Sequence, residues 1–141
     1  MLNKIFKKKE KENHNNKNIL IIALLVHAAK IDENYTQTEK EIIKKIIMQL
    51  NEVNLEESEK ILKISEEAEK KSNQIVEFTQ EIKKHSMDFR LKIIEIIWKI
   101  VYSDGTSDNY ESNLIRRICG LLYISDKDNG IIKTKIQDSL K

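Results

Sequence analysis

Laid over itself at a shift of 72 residues, which sets Asp32 on Asp104, the chain repeats one unit. Glu39 falls on Glu111, and Ile42-Ile43-Lys44-Lys45-Ile46 falls on Leu114-Ile115-Arg116-Arg117-Ile118. Upstream, Leu24-Leu25-Val26 falls on Ile96-Ile97-Trp98, and Ala28-Ala29 on Ile100-Val101. Residue class is kept on both sides of the Asp/Glu pair, which a chance match rarely achieves. Each unit reads as a long apolar helix, a short polar loop and an amphipathic helix. Helices with an apolar stripe must bury it. Two such units are therefore expected to pack as a pseudo-symmetric all-α bundle, with the helices between them as the connection.

Composition points the same way. The 141 residues include no Pro and three Gly, too few for the tight turns of an all-β chain. Periodicity predicts seven helices, over about 18–31, 37–51, 55–71, 73–84, 87–103, 109–123 and from Ser125 onward. The first is apolar nearly all round and should be central. Asn54, Ser72, Ser86 and Ser125 are the expected N-caps, Ser125 with Asp128 as an acidic variant of a capping box. On the fifth helix Lys92, Glu95 and Lys99 form a polar stripe; His27 aligns with Lys99 and is expected at the edge of the core.

Residues 1–17 are rich in Lys and Asn and nearly lack apolar groups after Phe6, so a basic disordered tail is expected there, with the helical domain over 18–141. The apolar run Ile19–Ala29 is shorter than the roughly 20 residues a spanning helix needs. Lysines precede it, as they would the apolar core of a signal peptide. No small-residue cleavage pattern follows in Ala28-Ala29-Lys30-Ile31, so a buried core helix is the reading. Lys+Arg 25 against Asp+Glu 23 leaves a net charge of +2, which names no partner. The basic residues lack the aromatic platforms or recognition-helix context of a nucleic-acid binder. The single Cys119 cannot close an intramolecular disulfide and fits a reducing compartment, so a cytoplasmic location is expected.

Enzyme chemistry finds no foothold. Cys119 falls in the apolar stripe of the sixth helix, where a free Cys packs as a small hydrophobe. No Cys/His metal spacing is present, and Gly105, Gly120 and Gly130 are isolated rather than grouped in a phosphate-binding loop.

The two acidic loops carry the remaining chemistry. Thr36 with Glu39, and Asp108 with Glu111, fit capping boxes at the start of the second and sixth helices. Capping accounts for both Glu residues. It accounts less well for Asp32 and Asp104, each at the C-terminal end of a helix, where negative charge is unfavourable. Two readings of these Asp residues stand open. They accept from the next helix's free N–H groups, or they help hold a divalent cation (Ca²⁺, Mg²⁺, Mn²⁺ or Zn²⁺) with loop carbonyls. Neither loop is an EF-hand: the Gly that motif needs at position 6 is Gln37 or Asn109, and its closing Glu is Ile43 or Ile115.

These residues resemble the TerB-like family, the tellurite-resistance TerB proteins and the N-terminal domain of DjlA-type co-chaperones. The carriers are Leu24-Leu25-Val26-His27-Ala28-Ala29-Lys30-Ile31-Asp32 with Glu39, and Trp98-Lys99-Ile100-Val101-Tyr102-Ser103-Asp104-Gly105 with Tyr110-Glu111 and Leu114-Ile115-Arg116-Arg117. Ser125-Asp126-Lys127-Asp128 is similar to the family's ending, so the likeness covers roughly 18–138. The Gly that follows the Asp in the family pattern is Gly105 in the second unit and Glu33 in the first. The resemblance implies a TerB-like all-helical, non-enzymatic domain. It implies divalent-metal binding at Asp32, Glu39, Asp104 and Glu111, and protein partners within membrane-linked stress or metal-sensing complexes, at a cytoplasmic or membrane-peripheral site. Against this stands a plain protein-protein module whose acidic residues only cap helices.

Overall fold

The computed structural model describes residues 18–31, 34–72, 74–104 and 109–140, and of residues 104 and 109–111 the backbone alone. The tail expected at 1–17 lies outside the described residues. Among those described there are seven α-helices and no strand: α1 (18–29), α2 (Gln37–Asn51), α3 (Leu55–Lys71), α4 (Val76–Lys83), α5 (Met87–Val101), α6 (Asn109–Leu121) and α7 (Asp126–Ser139).

The first helix of each unit forms the centre. Ile21 through Val26 of α1 are all fully buried, so every face of that helix meets protein. This agrees with its apolar sequence. In α5, Ile93, Ile94, Ile96, Ile97, Trp98, Ile100 and Val101 are buried, and Lys92, Glu95 and Lys99 keep one stripe polar. The second helices bury single stripes, Ile43 and Ile47 on α2 and Ile115, Ile118 and Cys119 on α6. Phe78 and Ile82 of α4 complete the same core.

Local chemistry sets most helix ends. The Thr36 hydroxyl accepts from the Glu39 N–H while the Glu39 carboxylate accepts from the Thr36 N–H, a complete capping box. Asn54 caps α3 through the Glu57 N–H, Ser86 caps α5 through the Phe89 N–H, and Ser125 caps α7 through the Asp128 N–H. With few Gly available, α2 ends on Glu52 at φ 54° and the turn after α6 places Tyr123 at φ 59°. Each accepts a left-handed conformation that costs an L-residue about 1 kcal/mol.

Several boundaries differ from the periodicity; α1 ends at 29 rather than 31, and α6 at Leu121 rather than 123. α4 begins at Val76 rather than 73, and its N-cap Ile75 offers no side-chain bond. Ser72, expected to cap α4, instead closes α3: its N–H donates to the Glu69 carbonyl and its hydroxyl to the Gln74 carbonyl. α5 stops at Val101 and gives way to a 3₁₀ turn over Tyr102–Asp104, where the Ser103 hydroxyl donates to the Ile100 carbonyl at 2.7 Å.

Polar bonds lock the packing. Asn18 of α1 bonds to Asn51 at the end of α2. Trp98 Nε1 of α5 donates to Asn129 Oδ1 of α7 at 2.9 Å, and Gln137 Nε2 of α7 donates to the Tyr102 hydroxyl at 2.7 Å. The helices between the units do more than connect them. α3 lies along α2, and α4 packs on α5 and α6.

Candidate functional site: the acidic loop ends

The α1–α2 loop is bracketed by the end of α1 and the start of α2, and α3 delivers its own C-terminal half to the same place. Of the four acidic residues singled out by the sequence, Glu39 has a described side chain. Asp32 lies outside the described residues, as do the side chains of Asp104 and Glu111 and the box expected at Asp108.

Glu39 is 6% exposed. Its Oε1 accepts from the Thr36 N–H at 2.7 Å, at the positive end of α2, which compensates the burial of its charge. Beside it, burial pushes the Tyr35 hydroxyl well above the ordinary tyrosine range, and the carboxylates of Glu66, Glu39 and Glu69 push it further. Negative charge next to a phenol disfavours the phenolate. The Lys40 ammonium sits 4.8 Å from the centre of the Tyr35 ring, a cation–π contact.

Glu69 is the hub of a second polar group. Lys30 Nζ lies 2.8 Å from its Oε2, and His27 Nδ1 lies 3.2 Å from its Oε1. Burial works to raise the Glu69 carboxyl, but the bonds from Lys30 and His27 outweigh it, and the group is held below the usual glutamate value. His27 is half-buried on the polar edge that the repeat alignment predicted for it.

Glu66 and Glu69 were not singled out from the sequence. The signal was there for Glu69: it stands seven residues after Leu62 and four after Ser65, on the stripe α3 buries. A polar residue on a buried stripe needs a partner, and α1 supplies two.

The chemical capacity of the described residues is limited. No group of three His, Cys, Asp or Glu side chains among them is placed to hold a metal ion. Glu39 is committed to its capping box, and the Glu69 oxygens are taken by the Lys30 ammonium and the His27 ring. Cys119 is fully buried, and burial, with Asp126 adding to it, pushes its thiol up to about 12, so no thiolate is at hand for nucleophilic attack. Among the described residues no helix is long and apolar enough to cross a membrane.

A duplicated helix-loop-helix unit, buried first helices and acidic loop ends define an all-helical domain of the TerB type. The family model of the tellurite resistance protein TerB matches residues 18–134, and the chain belongs to that family. No curated protein and no solved structure matches the chain at a significant level.

Proposed function

We propose that this TerB-family domain is a non-enzymatic, stress-related protein-interaction module whose state responds to a divalent cation at the acidic loop ends, Asp32, Glu39, Asp104 and Glu111. A cytoplasmic or membrane-peripheral setting and a protein partner belong to the same proposal. The observation that carries it is the charge at the first loop. Glu39, Glu66 and Glu69 all act on the Tyr35 hydroxyl, and among the described residues Lys30 and the His27 ring face Glu69 while Lys40 sits over the Tyr35 ring. Hard divalent cations take carboxylate and carbonyl oxygens, the donors such a loop offers. The complete Thr36–Glu39 capping box favours a second reading, an interaction or co-chaperone-like module in which the acidic residues serve the helices alone.

The two separate in one titration. Amide shifts of the full chain are followed with Ca²⁺, Mg²⁺, Mn²⁺ and Zn²⁺, beside the variant Asp32→Asn/Asp104→Asn. Saturable shifts of both loops, lost in the variant, are expected. Silence at millimolar metal, or a variant that only loses stability, leaves the capping reading.

A further inference from the structure

α2 and α5 face each other across a groove. Its floor is Ile42, Ile46 and Leu50 of α2 with Phe89, Ile93 and Ile96 of α5, and it holds two adjoining hollows of about 280 and 230 Å³. Its rim is Lys45 and Gln49 on one side and Lys92 and Lys99 on the other, and no acidic residue lines either hollow. Glu95 pairs with Lys99 at 3.6 Å and with Lys135 at 3.5 Å, while Lys45 and Lys92 make no ion pair among the described residues.

The duplication marks this groove as incomplete. At the repeat shift Ile46 and Leu50 correspond to Ile118 and Leu122. The second pair is fully buried, whereas the first is half-open. Beyond any contact with α1, α6 packs against α4, α5 and α7, but α2 packs against α3 and α5. Among the described residues, one half of the bundle thus has a covering helix that the other lacks. The chain's own counterpart of α4 does not fit that role. The buried Phe78, Thr79 and Ile82 correspond to Phe6, Lys7 and Glu10, so the apolar stripe is missing, and residues 4–11 repeat the lysines of the rim.

We propose that the α2–α5 groove docks an acidic amphipathic helix of a partner protein. The span from Phe89 to Lys99 is about 15 Å at the helical rise, which accommodates apolar anchors at i, i+3 or i+4, and i+7 of a docked helix. Glu or Asp beside those anchors meets Lys45, Lys92 and Lys99, which sets orientation and speeds encounter. A flat anionic bilayer suits the groove poorly, because Ile93 and Ile96 are recessed at 2% and 5% exposure and do not project. The inference rests on the reading of the domain as an interaction module and names its partner's chemistry; it needs no cation.

The test is an amide-shift titration of the full chain in EDTA. The probes are helical peptides of about 18 residues with Leu at the anchor positions and Glu between them. Saturable shifts confined to 42–50 and 89–99 are expected. Binding to Lys45→Glu/Lys92→Glu, exposed changes checked for folding by circular dichroism, should be at least about tenfold weaker. Peptides with Lys in place of Glu should reverse that preference. Equal affinity for the variant overturns the proposal. So do phosphatidylglycerol vesicles that shift the same amides at lower concentration, or nuclear Overhauser contacts from Phe6 to Ile46. A peptide that shifts other amides overturns the groove but leaves the interaction reading standing. No saturable shift anywhere at about 1 mM peptide overturns both.

Discussion

Arg90 offers the sharpest test of how the bundle is closed. Its guanidinium donates to three backbone carbonyls: Nη2 to Lys83 at 2.8 Å, Nη1 to Leu122 at 3.3 Å and Nε to His85 at 3.2 Å. One side chain thereby serves the C-terminal ends of α4 and α6, whose last carbonyls lack helical partners. Arg90→Met keeps much of the aliphatic stem and deletes the donors and the charge. The Lys83 and Leu122 bonds are partly buried and are worth about 1 kcal/mol each. The His85 bond is exposed and adds little. A cation at two helix C-termini adds roughly 0.5–1 kcal/mol. The sum is a loss of about 2.5–3 kcal/mol. In urea unfolding with a slope of about 2 kcal/mol per M, the midpoint falls by about 1–1.5 M with the slope unchanged. Arg90→Lys should recover less than half, since one ammonium cannot fork to three acceptors. A loss below about 0.5 kcal/mol for Arg90→Met, or full recovery by Lys, would refute the reasoning.

Two further perturbations report on buried groups. With its thiol raised to about 12, Cys119 should resist iodoacetamide at about pH 8. Labelling followed by mass spectrometry should appear only within the unfolding transition, and modification of the native chain would contradict the burial. Glu69→Gln should lower stability most above the ordinary glutamate value of 4.5, where the lowered carboxyl of the native state favours folding. That gap to wild type should close as pH falls through the folded-state value, which lies lower; a gap that is flat from pH 6 to 3 would mean that Lys30 and His27 contribute nothing through the carboxylate charge.

Much of the architecture was legible in the residues. All seven helices stand within a few positions of their periodic stretches, and Thr36, Asn54, Ser86 and Ser125 cap the helices they precede. These features are local: a cap reaches two or three residues along the chain, and a stripe repeats every turn. Ser72 misled for the same reason. Its sequence context suits a cap, but α3 had already claimed it. The duplication was also legible in the spacing of the doubled Asp/Glu unit, and the resemblance to the TerB-like family that its residues carry agrees with the family model over 18–134.

The candidate site was legible in part. Glu39 and its box with Thr36 were readable in the sequence, as was the polar setting of His27. Glu66 was not, since it lies on α3, far along the chain from the loop it faces, and Glu69 showed only as a polar residue on a buried stripe, with nothing in the sequence to name its partners. The sequence by itself determined the helices, their caps, the duplication and the family. Only the tertiary structure decided that Glu69 would hold Lys30 and His27, that Arg90 would tie α4 to α6, and that among the described residues α2 and α5 would leave a groove between lysines. Each of those joins residues some 30 or more positions apart or separate helices, and such meetings follow from which stripes pack together, a choice that no local rule of spacing contains.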